Sequence, residues 1–405
     1  MRKGWQTKKL GDVCATIQDG AHESPQRQFD SPGKGRFLYI TSKNIRNNCL
    51  DLGNVSYVEE DFHSRIYPRC KPSIGDVLLT KDGANTGNVT LNTLDEPFSL
   101  LSSVCLIKTK PDALSPGFLS YYIQSPDGLK SITGQMTGAA IKRIILRDIK
   151  LAPIPIPPLP EQHRIVGILD EAFDGLARAT ANAEQNLRNA RALFESHVQA
   201  VFSEAWRDSE VVPLTELASD ITDGDHLPPP KTSTGIPFIT IGNIVKSSRK
   251  IDFSDTYKVS RDYFDSLKPN RRPQRGDVLY TVTGSFGIPV LIDDWQEFCF
   301  QRHIGLIRPK SRVDSRWLSY LMLSPQVFAQ ADAAATGAAQ RTVSLKALRS
   351  FVVPSMSLIR QEKMAAQLDA LAAETQRLES IYQRKLAALG ELKKSLLHQA
   401  FTGQL

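Results

Sequence analysis

Residues 160–204 read PEQHRIVGILDEAFDGLARATANAEQNLRNARALFESHVQAVFSE, and the rest of the chain is arranged about this stretch. No proline follows Pro160, and the two glycines, Gly167 and Gly175, lie in the first half. Apolar or small residues recur at alternating spacings of three and four: Leu169, Phe173, Leu176, Thr180, Ala183, Leu187, Ala190 and Phe194. That spacing stripes one face of a helix with a seven-residue repeat, the pattern of a coiled-coil seam. Pro160 and Glu161 suit a first helical turn, where a missing N–H costs nothing and a carboxylate meets the positive end of the dipole. A lone helix cannot bury such a stripe, so a partner is required.

The chain supplies that partner at its other end. From Arg360 a second proline-free stretch places Leu368, Leu371, Leu378, Tyr382, Leu389 and Leu396 on a similar seam. Gln162 corresponds to Gln361 and Leu169 to Leu368, so the two helices are copies of one element. The sequence between them is duplicated as well. Asp19-Gly20-Ala21-His22 matches Asp223-Gly224-Asp225-His226, and Ile40 to Ile45 matches Ile239 to Ile244. Gly75-Asp76-Val77-Leu78 matches Gly276-Asp277-Val278-Leu279, and Leu119-Ser120-Tyr121 matches Leu318-Ser319-Tyr320. Thr137-Gly138-Ala139-Ala140 matches Thr336-Gly337-Ala338-Ala339.

The expected architecture is therefore globule–helix–globule–helix, of α+β class. Two mixed α/β domains in tandem duplication, 1–155 and 207–355, are separated by two long antiparallel coiled-coil helices, 156–206 and 356–405. Short apolar runs at 37–40, 76–79 and 104–107 read as strands, and 118–123 as a short helix. Alternating prolines from Pro153 to Pro160 form a stiff extended connector, since such a run suits neither a helix nor a central strand. The second connector, with Pro354 alone, is less stiff. Between matched boxes the copies diverge: His22-Glu23-Ser24-Pro25 against His226-Leu227-Pro228-Pro229, and Lys81 to Asn85 against Val282 to Ser285. A shared scaffold with unlike loops implies two domains that recognise two different things.

Composition narrows the class. With 405 residues the chain has material for two or more domains. No apolar run of membrane-spanning length occurs, and the N-terminus lacks the apolar core of a signal peptide. Five cysteines without a Cys-x-x-Cys pair point to a reducing cytoplasm rather than a disulfide framework or zinc knuckle. A net charge of +7 is compatible with nucleic acid as partner.

With these features in place the chain resembles the specificity subunit of type I restriction–modification systems. The resemblance is carried by Pro158 to Val166 (PLPEQHRIV), the TGAA box before each long helix, and the terminal Leu396 to Leu405 (LLHQAFTGQL). It covers essentially the whole chain. It implies a non-catalytic DNA reader in which each target-recognition domain binds one half of a split double-stranded DNA site. The helices act as spacer, and two methyltransferase subunits, with a translocating nuclease (restriction) subunit where present, dock on the assembly. No cofactor is implied on this chain; S-adenosylmethionine belongs to the methyltransferase and ATP to the nuclease. A helix of about 45 residues is roughly 65 Å long, enough to separate two readers by one to two turns of duplex. A stand-alone DNA-binding regulator with the same two readers is the alternative.

The candidate DNA contacts are Lys43, Lys81, Asn85, Lys142, Arg143, Arg271, Arg272, Arg275, Arg302, Gln340 and Arg341. Phosphates are met by Lys, Arg and small polar groups, guanine edges by Arg and adenine edges by Asn or Gln. Each could equally belong to a solvated face. Thr137, in the first TGAA box, either offers its hydroxyl and a backbone N–H to a phosphate or merely shapes a turn. The matched His22 and His226 read as parts of structural turns, with no further ligands at metal spacing. Arg178, Arg188, Arg191, Arg377 and Lys385, on outer helix faces, are candidates for methyltransferase docking, as the resemblance implies. Pro126-Asp127 with Asp148-Ile149-Lys150 fits a loose nuclease pattern, but the matched Pro325-Gln326 and Ala347-Leu348-Arg349 lack carboxylates. Neither a methyltransferase motif nor a nucleotide-binding loop occurs.

Overall fold

A computed structural model of the chain describes residues 4–134, 143–227, 229–294 and 296–405. It contains two compact units. One comprises the chain up to Glu184 together with Arg384–Leu405, the other Gln185–Gln383. Both units therefore include a segment of each long helix.

The first unit is built on a four-stranded antiparallel sheet in the order Cys14–Asp19, Val104–Thr109, Val77–Thr80, Val89–Leu91. Its central strand Val77–Thr80 is buried on both faces, and successive side chains divide between two cores, as a period of two requires. Val77 and Leu79 join Phe118, Leu119 and Ile123 of the helix Pro116–Gln124, whereas Leu78 faces Leu38, Ile40 and Phe98. A three-stranded sheet of Ser56–Glu59, Arg36–Ile40 and Ser99–Leu100 covers that second core. The second unit repeats the design. Ala218–Asp223, Ile304–Pro309, Val278–Thr281 and Pro289–Leu291 form the four-stranded sheet, and Tyr257–Val259, Ile236–Ile239 and Cys299–Phe300 the smaller one. Val278 and Tyr280 again separate from Leu279.

The proline-rich connector is extended, and it also has a partner: Pro153–Ile156 pairs antiparallel with Gln6–Lys9. A strand with one neighbour needs N–H groups from alternate residues only, so Pro153 and Pro155 are tolerated while Ile154 and Ile156 enter the core. The second connector, Val352–Ser355, is held in the same manner by Glu210–Pro213. Pairing, rather than proline content, fixes both.

The long helices run Leu159–Asp208 and Leu358–Thr402. In the first unit Arg164 donates to the Leu405 carbonyl, and Lys393 lies 5.1 Å above the Phe173 ring. Numbers thus rise along one helix as they fall along the other, the sign of antiparallel pairing. In the second unit Arg191 bonds Glu379 at 2.9 Å across the pair. The seam is buried at Leu169, Phe173, Ala183, Ala190 and Phe194 and on Leu368. Leu371, Leu378, Tyr382, Leu389 and Leu396 are half-buried, because two helices alone cover only part of each other's flanks. Burial deepens where a globule adds a third surface. Leu397 and Ala400 are buried and Phe401 lies edge-on to Phe118, while Phe202 meets Trp317 in the second unit.

The matched Gln at each helix start, Gln162 and Gln361, ties that helix to its globule. Gln162 is fully buried, accepts from the Ser115 N–H at 2.8 Å and donates to the Ala113 and Pro157 carbonyls at 3.0 and 2.9 Å. Gln361 repeats this with Asp314, Arg312 and Met356. About two turns further on, Tyr121 bonds Asp170 and Tyr320 bonds Asp369.

Candidate nucleic-acid interface

At one end of each four-stranded sheet, several loops converge through a matched set of backbone bonds. The Asp-Gly-x-His turn comes first. Gly20 lies so close to the neighbouring turn that a Cβ there would fall 2.2 Å from the Leu100 carbonyl oxygen; at Gly224 the distance to the Phe300 oxygen is 1.9 Å. Ala21 N–H donates to Leu100 and Ser102 N–H to Ala21; Asp225 and Arg302 do the same in the second unit. The turn after Ser99–Leu100, or after Cys299–Phe300 in the second unit, then reaches the end of the central strand, where Lys81 N–H donates to the Ser103 carbonyl and Val282 N–H to that of His303. A last segment closes the array: Arg143 bridges to Asp82, and Thr342 to Thr283.

On this common backbone the side chains differ. The first unit buries a charge cluster. Lys81, 5% exposed, places its ammonium 3.2 Å from Asp82 and 3.7 Å from Asp19. Asp19 also accepts from Arg69 at 2.7 Å and from His22 Nε2 at 3.0 Å. Burial pushes the Asp19 carboxyl up, but the Arg69 hydrogen bond and the Lys81, His22 and Arg69 charges prevail and hold it below the usual range. The second unit has Val282 and Thr283 in place of Lys81 and Asp82. There Asp223 accepts from His226 at 3.0 Å and pairs with Arg271, which also reaches Asp225 at 3.2 Å. Both histidines thus serve as turn struts. Among the described residues, no group of three or more His, Cys, Asp or Glu is arranged to hold a metal ion.

The sequence-derived candidates separate on this geometry. Lys43, exposed beside Ser42, donates to Ser56, and Asn85 donates to the Ser42 carbonyl. Arg143 is exposed and paired with Asp82. Arg302 stands exposed at its turn, whereas Lys81 points inward. Gln340 and Arg341 lie in an exposed loop closed by two bonds between Thr336 and Thr342; Arg341 pairs with Asp332 and covers the Phe286 ring. That loop is the second TGAA box, and Gly337 takes φ 115° in it. Thr137 and Lys142 lie outside the described residues.

The basic cluster before the second central strand is placed otherwise. Arg271 corresponds to Arg69 and is tied to Asp223 and Asp225. Arg272 donates to the Leu267 and Asp265 carbonyls, closing the C-terminal end of the helix Arg261–Ser266. Arg275 is exposed, but it precedes Val278–Thr281 and so stands at the opposite end of that strand from the loop array. Of the helix candidates, Arg178 bonds the Asp174 carbonyl, Arg188 Gln185, Arg191 Glu379 and Arg377 Glu374; Lys385 is exposed.

The array also contains residues that the sequence reading passed over. Gln301 and His303 flank Arg302, with Gln301 Nε2 2.6 Å from His303 Nδ1. Aligning the copies would have set Gln301-Arg302-His303 against Leu101-Ser102-Ser103, the signal that could have found them.

Comparison with known proteins agrees with the architecture. The family described as type I restriction modification DNA specificity domain matches residues 2–187 and 207–385. Similar proteins include the Type I restriction enzyme MjaVIII specificity subunit of Methanocaldococcus jannaschii, 22% identical over 99% of this chain and 93% of that one. The EcoKI specificity subunit of Escherichia coli K12 is 23% identical over 100% and 89%. The HsdS subunit crystal structure from Thermoanaerobacter tengcongensis shares the fold, with TM-score 0.61 and 20% identity over 100% of this chain and 98% of that one. A chain from a structure concerned with complex assembly and conformational transition of the type I R-M system gives TM-score 0.76 at 20% identity, over 100% and 99%. With two matching domains and this duplicated fold, the chain belongs to the type I restriction–modification DNA specificity family and is a specificity subunit.

Proposed function

We propose that the two loop arrays read two unlike halves of an asymmetric bipartite DNA target, and that the chain itself performs no chemistry. The observation that carries this reading is one backbone array, used twice, with different side chains on it. Lys43, Asn85 and Arg143 furnish the first array, and Arg302, Gln340 and Arg341 the second. Their cations contact phosphates, where charge neutralisation supplies affinity without sequence information. Amides and guanidinium groups at the loop tips meet base edges in the major groove. Thr137 and Lys142 belong to the same proposal. Two adenine-methyltransferase subunits, carrying S-adenosylmethionine, dock on the long helices at faces that include Arg178, Arg188, Arg191, Arg377 and Lys385. A nuclease subunit that uses ATP joins where one is present.

Co-expression with a cognate adenine methyltransferase in a methylation-free host, followed by mapping of modified adenines, tests the proposal. The expected result is one split motif with two unlike halves. Modification that survives unchanged when the second globule is deleted would overturn it.

A further inference from the structure

We propose that Gln301 reads an adenine in the half-site recognised by the second unit, and that His303 is the positioning residue that holds its amide for this task. The proposal rests on the reading of the loop array as a DNA interface, and adds to it one residue, one base and a direction of hydrogen bonding.

The turn that carries both residues is fixed on every side. Gln301 N–H donates to the Ile239 carbonyl, Arg302 N–H to Asp225, Ile304 N–H to Gln301, and the His303 carbonyl accepts from Val282. Its backbone is therefore determined, leaving the side chains to differ.

The structure sets Gln301 Nε2 2.6 Å from His303 Nδ1, and the way the amide faces assigns the tautomer. An amide nitrogen only donates, so Nδ1 accepts and the imidazole proton lies on Nε2. Burial, and then the Arg302 charge, lower the tendency of His303 to take a second proton, which would abolish the acceptor. With one N–H engaged, the Gln301 amide retains one N–H and its carbonyl oxygen. One donor beside one acceptor is the complement of adenine N7 and N6 in the major groove. Guanine presents two acceptors there, which an amide with a single remaining N–H cannot satisfy. The strut thus selects adenine over guanine by using up the spare donor.

The first unit lacks the device. Leu101 packs against the Tyr39 and Phe62 cluster, and Ser103 accepts from the Ser42 N–H. The turn has the same backbone there but no amide, so this adenine belongs to one half of the target only. Arg302, exposed between the two, is placed for an adjacent phosphate.

The test uses the full chain with its methyltransferase partner in a methylation-free host, the host genome serving as substrate. The split motif of the wild type is compared with those of Gln301→Ala, Gln301→Glu and His303→Phe. The expected result for Gln301→Ala is a loss of about tenfold or more in preference at one adenine of one half-site, with the other half unchanged. Gln301→Glu, an acceptor only, moves that position towards cytosine, whose N4 donates. His303→Phe keeps the ring but frees the amide, so guanine is admitted at the same position; a merely structural role would reduce modification evenly at all sites. A wild-type motif retained in full by Gln301→Ala overturns the assignment alone. A soluble Gln301→Ala complex that modifies nothing also overturns it, since losing one base contact relaxes one position about tenfold without abolishing recognition of the rest of the target. A wild-type complex without any split motif overturns the underlying reading as well.

Discussion

Replacing Gln162 by leucine removes three hydrogen bonds at the point where the first long helix leaves its globule. Leucine fills a similar volume, so the apolar stripe keeps its packing and the change isolates the polar contribution. The Ser115 N–H and the Ala113 and Pro157 carbonyls are left without the partner they have now, in a position where Gln162 is 0% exposed. Each stranded buried group costs about 1–3 kcal/mol, and neighbouring losses are not additive, so the expected destabilisation is about 3–5 kcal/mol. Gln361→Leu should cost somewhat less, because its bond to the Arg312 carbonyl is already long at 3.5 Å. Urea unfolding followed by circular dichroism gives the totals, and amide exchange locates them. Gln162→Leu should accelerate exchange in Val104–Thr109 but not in Ile304–Pro309, and Gln361→Leu the reverse. A Gln162→Leu protein within about 1 kcal/mol of wild type would show that the stripe alone holds the helix, and the reasoning would fail.

Other predictions concern the loop arrays. Asp19 has a depressed carboxyl, so its stabilisation is present above the unfolded carboxylate range near ~4 and is lost as pH falls through the lower folded value. Asp19→Asn should therefore lower the urea midpoint at pH 6 and differ less from wild type at pH 3. Gly224→Ala forces a Cβ against the Phe300 carbonyl and should cost about 2–4 kcal/mol, measured in the same way. Arg143→Gln in the assembled complex should reduce the slope of log affinity against log salt by about 1, whereas Arg275→Gln, at the other end of its strand, should leave it unchanged. Arg271→Met should lower stability by about 1–2 kcal/mol, a partly exposed pair being screened, and leave the target motif intact.

Much of the fold was legible because it is written twice. The heptad stripe announced a helix in need of a partner, and the match of Gln162 to Gln361 identified both the partner and the duplication. The strands at 37–40, 76–79 and 104–107 announced themselves by apolar runs between turn residues. Pairing of the proline-rich connector with Gln6–Lys9 was not legible, since a strand edge far away in sequence leaves no local trace. The loop arrays were harder for the same reason. Lys81, Arg271 and Arg302 look alike in a sequence, yet one is buried between carboxylates, one ties Asp223 to Asp225, and one is exposed at a turn tip. Charge shows which residues are able to meet phosphate; only the fold decides which of them face outward. Gln301 and His303 were hidden for a further reason, that neither carries a charge or a motif, and their meaning lies in a contact between the two.

The central claim is that each globule reads its own half of the target through loops on a common scaffold. It is tested most directly by replacing residues 5–156 with a second copy of residues 209–355. The exchange respects the paired strands that begin and end each globule, and the helix that receives it offers Gln162 and Asp170 where the original offers Gln361 and Asp369. Modification mapping with the methyltransferase partner should return a target that contains the second half-site twice and the first not at all. A target that retains the first half-site, or that bears no relation to the second, would contradict the account.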